Sequence, residues 1–397
     1  MLTKLQIILI VIMGFLLLST IGNFLDLKRF GIHFFPLGVM FKTNFFNKML
    51  EKLGDKGKKF WSVIYHSGKI LAAIITVGFL AYFIANPFLI LFGSPAGLGI
   101  QLIIPGITVD FKMALLLIIP FIFMIVPHEI AHGVMAKREG IKIRSSGIIL
   151  LLVFIGAFVE LMKESMEEAS ERKRIRVLMN GPAVNSIFAL FFLALYFLSP
   201  YIISIGYGSP NGVLITNVYE DFPAENAGII SGDVIQQIGK INESMQIEYS
   251  EMFNVNDFDL FISGSLSASL FYVILLDGRN ISLIPTITDP ISKTNSTTKI
   301  YLGVSIYNYL PPKANWLSKQ FPYYWDIEIL YIVNLSVMAV FINMLPLVIT
   351  DGDKIIQEYL KLKDKNDQKH RRILNIVRLF CLLILVLNLV LSMVKFR

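Results

Sequence analysis

Six stretches of this 397-residue chain are apolar for long enough to cross a bilayer, and no other feature limits its fold as strictly. A crossing helix needs roughly 20 apolar residues, because the hydrocarbon core is about 30 Å thick and each helical residue rises about 1.5 Å. We read such stretches at about 5–25, 70–92, 111–136, 183–205, 327–347 and 373–394. Charged residues make up 16% of the chain, against about 25% in an ordinary soluble domain. The sequence predicts an α-helical polytopic membrane protein with about six transmembrane helices. A cleavable leader is the weaker reading of the first stretch, since no small-residue cleavage site follows it.

The net charge of +7 is unevenly distributed. Lys and Arg crowd into 28–69, 137–176 and 354–372, whereas 93–110 has none and 207–326 holds six basic against twelve acidic residues. Basic loops resist translocation, so these three are expected in the cytoplasm, with the acidic segment and both termini outside. Such a pattern serves membrane topology and gives no reason to expect a nucleic-acid partner. The single cysteine, Cys381, excludes a disulfide framework and any cysteine-based metal site.

Segment 207–326 has a different texture. Short β-like runs at 213–218, 234–238, 270–276, 281–284 and 300–306 are separated by turn signals such as Asp277-Gly278. The stretch GVLITNVYEDFPAENAGIISGDVIQQIGKIN, residues 212–242, resembles a PDZ domain: a strand, a one-turn helix opened by Pro223 and closed before Gly228, then a second strand. The resemblance implies a small α/β domain that takes an extended peptide or a C-terminus as an added strand, with 301–304 (YLGV) as its carboxylate-binding loop.

The stretch VPHEIAHGVMAKREG, Val126 to Gly140, ends an apolar run with ionisable side chains. His128 and His132, four residues apart, share one helix face, so their ring nitrogens can converge on one zinc ion. Glu129, beside the first of them, can take a proton from a water on that metal, the logic of the H-E-x-x-H pattern. Left unpaired in an apolar helix, the three groups would cost kilocalories. A catalytic zinc wants a third protein ligand and one open position. Asp351 closes FINMLPLVITDGD, residues 341–353, on the side that His128 and His132 approach. Pro346 should break that helix and Gly352 permit a tight turn, which would aim the carboxylate inward. Asp353 and Asp364 compete for the role.

These residues resemble the site-2 protease family of intramembrane zinc metalloproteases. His128 to His132, followed by Gly140-Ile141-Lys142, is similar to its first motif. NGPAVN at 180–185 matches its Gly-Pro-x-x-Asn, and NMLPLVITDG at 343–352 its Asn-x-x-Pro-x-x-x-x-Asp-Gly. The likeness covers about 111–391, and an external PDZ domain between the spans bearing the last two motifs is a family feature. It implies that His128, His132 and Asp351 hold one catalytic Zn²⁺ and that Glu129 activates water. It also implies that Asn185, at the start of its span, hydrogen-bonds the oxyanion or substrate backbone, with Gly181, Pro182 and Asn343 in substrate binding. A helix cap is the other reading of Asn185. Two departures stand out: Thr350 replaces an apolar residue and Asp353 a second glycine.

The resemblance divides the chain into accessory spans and a basic loop (1–110), a first core half (111–206), the PDZ-like domain (207–326) and a second core half (327–397). Residues 145–161 are apolar, too short to cross twice, and flanked by Arg144 and Lys163, both assigned inside. They predict a short membrane-associated β-hairpin or an interfacial helix. A hairpin edge could pair with a locally unwound transmembrane substrate, including one already shortened outside by another protease. Two other functions fit part of the pattern: a membrane zinc transporter, and an inactive PDZ-bearing membrane scaffold. The first needs neither Glu129 nor the PDZ-like domain; the second does not need all four zinc-site residues intact.

Overall fold

The computed structural model describes residues 4–35, 38–104, 108–151, 154–241, 245–265, 270–285, 301–363 and 366–395. The chain forms two compact units, one of Met1–Leu195 with Glu328–Arg397, the other of Tyr196–Ile327. The first unit opens with the apolar helix α1 (Lys4–Phe24), strands β1 (Ile32–Phe35) and β2 (Gly38–Thr43), and the helix α2 (Phe45–Asp55). Helices α3 (Lys58–Leu91), α4 (Phe111–Leu116) and α5 (Ile118–Glu139) follow. Strands β3 (Ile143–Leu151) and β4 (Phe154–Leu161), a short α6 (Lys163–Glu168) and the long α7 (Glu171–Gly206) come next.

The expected strand pair is present as β3 and β4, antiparallel, with Gly147 opposite Phe158 and Ser146 opposite Val159. It is not an isolated hairpin. Strands β1 and β2, which the sequence reading passed over because charge dominated that loop, extend it into a sheet of order β1-β2-β3-β4. Met40 pairs with Ile149 and Lys42 with Gly147. Both sides of β3 are therefore paired, and β4 is an outer strand.

The second unit carries β5 (Val213–Val218), the one-turn α8 (Pro223–Asn226), β6 (Val234–Ile241), β7 (Ile247–Glu251), α9 (Val255–Ser263), β8 (Phe271–Leu275), β9 (Asn280–Leu283) and β10 (Val304–Asn308). Its antiparallel sheet has the order β10-β5-β6-β8-β9, with β7 also on β6. Alternate residues Val213, Ile215, Ile235, Phe271, Val273 and Leu275 fill one core, as the two-residue period of a strand requires. Asn254 caps α9 by accepting from the amides of Asn256 and Asp257. Strand β7 and helix α9 were not foreseen: IEYSE is polar and exposed, so no alternation marks it. In the 301–304 loop, the Gly303 carbonyl accepts from Tyr219 N–H and the Leu302 carbonyl from Ala224 N–H.

The chain closes with α10 (Phe321–Met344), α11 (Asp351–Lys363) and α12 (Asp367–Lys395). Five helical stretches are long and apolar enough to cross a membrane: Lys58–Leu91, Phe111–Glu139, Glu171–Gly206, Phe321–Met344 and Gln368–Val394. The sixth expected span corresponds to α1, whose described apolar part, Ile12–Phe24, falls short of that length. Helix α7 begins twelve residues before the expected 183, because the basic run at 172–176 continues the same helix.

Where α3, α10 and α12 meet, Phe83 packs on Phe341 with ring centroids 4.7 Å apart, beside Leu345 and Cys381. A polar tie crosses this apolar contact. Asn86 donates to Asn388 Oδ1 at 2.8 Å, and Asn388 donates to the Phe83 carbonyl at 2.8 Å. Leu98 N–H donates to Asn86 Oδ1, which fixes the α3–α4 connection as well. Interhelical polar bonds in membrane bundles contribute about 1–2 kcal/mol at most, so Asn388→Leu should destabilise the protein by that order. A lower unfolding temperature in detergent is the expected result, and an unchanged one would count against the tie.

Candidate metal centre

Helix α5 ends where Gly140 takes a left-handed φ of 79°, and its residues from Ala131 to Ala136 are buried. His128 and His132 point from it to one spot. Their Nε2 atoms are 3.1 Å apart, and each is 3.2 Å from Oδ2 of Asp351, at the start of α11. Two donors each ~2.0–2.1 Å from one ion at near-tetrahedral angles stand ~3.3–3.4 Å apart, so this triangle fits a single zinc-sized cation. Among the described residues these three form the one such group of His, Cys, Asp and Glu side chains. Asp364 lies outside the described residues.

The surrounding atoms suit the same ion. Nδ1 of His132 lies 2.8 Å from the Val177 carbonyl. That carbonyl can only accept, so Nδ1 carries the proton and Nε2 keeps its lone pair for a metal. Gly181 supplies the space. A Cβ built there would lie 2.4 Å from His132 Nε2 and 2.7 Å from His128 Nε2, in contact with both ligand nitrogens. Gly181, which the resemblance implicates in substrate binding, faces the imidazoles. Pro182, its neighbour, is buried inside α7.

Asn185 differs from expectation in its place along the helix. It lies well inside α7, 1% exposed, because the helix starts at Glu171. Its side-chain nitrogen is 3.2 Å from Nδ1 of His128, and its buried oxygen has no hydrogen-bond partner among the described residues. A half-turn of the amide lets that oxygen accept Nδ1–H, which again leaves Nε2 for the metal. The geometry suits orienting a ligand. Asn343, half-buried next to the end of α10, has no hydrogen bond to the triad among the described residues.

The two unusual residues around Asp351 have structural partners. Thr350 Oγ1 donates to the carbonyl of Leu345 and accepts from Asp353 N–H, joining the break after α10 to the first turn of α11. Asp353, fully buried, does not compete for the metal. Its carboxylate receives Arg378 of α12 at 2.7 Å through both Nε and Nη2, and Gln357 at 2.7 Å. Such a two-pronged pair fixes α11, and with it Asp351, against α12. Arg378 was overlooked in the sequence, although a lone arginine within an apolar span is a signal of a buried acidic partner. Gly352 has no turn-forming backbone; its bare Cα lets the Met344 carbonyl approach to where a Cβ would be 2.2 Å away.

Glu129, half-buried, accepts a hydrogen bond from the backbone N–H of Val159 at 3.0 Å. The acid next to His128 is therefore held against the outer strand of the sheet.

The sequence profile of peptidase family M50 matches residues 116–385. An uncharacterized protein of Methanocaldococcus jannaschii is 32% identical over 258 residues, which cover 60% of this chain and 62% of that protein. A protein of Arabidopsis thaliana named membrane-bound transcription factor site-2 protease homolog is 22% identical over 221 residues, 54% of this chain and 42% of that one. The chain thus spans less than two thirds of either relative.

Gly181→Ala should abolish tight metal binding while leaving the helix intact, since alanine is the better helix former. Metal content after purification, with circular dichroism as the control, checks this; full metal occupancy in the variant would contradict the placement of Gly181.

Proposed function

Because this chain belongs to peptidase family M50, whose members are membrane-embedded metalloproteases, we propose that it is a zinc-dependent endopeptidase cutting transmembrane segments. The observation that carries the reading is the triangle of His128, His132 and Asp351 atoms with Glu129 next in sequence to the first ligand. His128, His132 and Asp351 would hold the zinc. Bound there, it would supply Lewis acidity, polarising the scissile carbonyl and making water nucleophilic near neutral pH. Glu129 accepts the proton of the attacking water on its carboxylate and passes it to the departing amide nitrogen. Asn185 and the Val177 carbonyl keep the two imidazoles in the tautomers that ligation needs.

A transmembrane helix hides its amides in its own hydrogen bonds, so the segment to be cut must unwind first. Strand β4, an outer strand, offers the edge on which it would be held. The amide of Val159 is the donor there, and an extended substrate that takes it must displace Glu129, which frees the base where the peptide arrives. The second unit fits a PDZ-like role: β10, the end strand of its sheet, follows the 301–304 loop and could take a peptide C-terminus. The charge pattern supports an external position for this unit and a site towards the cytoplasm. The unit would then filter substrates already trimmed outside.

Purified protein should bind one zinc and cleave a model transmembrane peptide in detergent or liposomes. Glu129→Gln should keep the metal and lose cleavage by a factor of roughly 10² or more, the contribution typical of general acid–base catalysis. His132→Ala and Asp351→Ala should lose metal affinity. Cleavage by Glu129→Gln at the wild-type rate would refute the mechanism.

A further inference from the structure

We infer that a small apolar cavity beside Glu129 receives one aliphatic side chain of the substrate, next to the bond that is cut; this rests on the protease reading above. The cavity, about 120 Å³, lies among α2, α5 and the β3–β4 strands. Met49 and Leu50 of α2, Val126 and Ile130 of α5, and Ala157 and Phe158 of β4 line it. Among the described residues Glu129 is the only ionisable side chain in its lining, and its carboxylate accepts from the N–H of Val159, another lining residue. Ser146, the only other polar side chain there, donates its hydroxyl to Asn47 at 2.7 Å. Nothing in that wall asks for a polar or charged guest.

Position and size define the guest. A peptide laid on the β4 edge takes the Val159 amide and runs past Glu129, with alternate side chains on opposite faces. One of them meets the cavity at the level of the base. An apolar cavity of ~150 Å³ accepts a benzene ring, so about 120 Å³ suits Leu, Ile, Val or Met and is too small for Trp. Helix α2 lies outside the stretch matched by the family profile, so part of this wall is not provided by the shared core.

The test uses the full-length zinc-loaded protein and transmembrane peptides in which each residue flanking the cleaved bond is Ala, Val, Leu, Phe or Trp in turn. Relative kcat/KM is read by mass spectrometry of competing peptides. At one flanking position, wild type should prefer Leu to Ala and to Trp by about 10-fold or more, the discrimination expected of an apolar pocket. Met49→Ala, which enlarges the cavity, should shift the preference towards Phe by about the same factor. Ala157→Leu, which fills it, should shift the preference towards Ala. Retained zinc shows that a variant is folded, and Met49→Ala decides the matter if Ala157→Leu does not fold. Unchanged ratios, or one common loss of rate for all peptides, would overturn the inference alone. Absence of any cleavage that depends on zinc and Glu129 would remove the protease reading and this inference with it.

Discussion

Three atoms from two distant parts of the chain must stand about 3 Å apart, in surroundings where none can be left without a partner. His128 and His132 come from one helix; Asp351 arrives from another, reached only after the whole second unit has been built. Without a cation among them, two imidazoles and a carboxylate at that distance would lean on one another for hydrogen bonds in a buried place. Much of the first unit can be understood as the means of holding this triangle at a fixed size.

Each corner has its own support. The Val177 carbonyl sets the ring of His132, Asn185 sets that of His128, and Gly181 keeps the face between them bare. Asp351 is held less directly. Thr350 shapes the chain before it, and the pair of buried Asp353 with the part-exposed Arg378 locks the helix after it to α12. Without Arg378 the Asp353 carboxylate would be left buried and short of its partner, which is costly, so the pair is well suited to preserving an orientation. The two residues that depart from the family motif are thus the two that orient its aspartate.

Much of this was legible in the sequence, for a physical reason. Spans announce themselves by length and apolarity. The pair His128 and His132 is local, so helical spacing alone places both side chains on one face. Asp351 could be connected to them because Pro346 marks where its helix must stop. What stayed hidden depends on approach between distant segments. Nothing local in NGPAVN says that Gly181 faces two imidazoles, or that Asn185 meets Nδ1 of His128. Strands β1 and β2 were obscured by the lysines around them, and Arg378 could be interpreted only once Asp353 was known to be its partner.

The four-stranded sheet has a consequence for which residues of β4 face Glu129. A strand that slips by one residue turns every side chain to the opposite face, so β4 offers the Val159 amide to Glu129 only if its alignment is fixed. That alignment passes from β3 to β2, where Gly38 to Thr43 pair residue by residue with Leu151 to Ser146. The strand beside the Glu129 carboxylate is therefore graduated, like a ruler, by a stretch of chain about ninety positions earlier. The early residues, easily taken for mere anchoring, keep its zero mark.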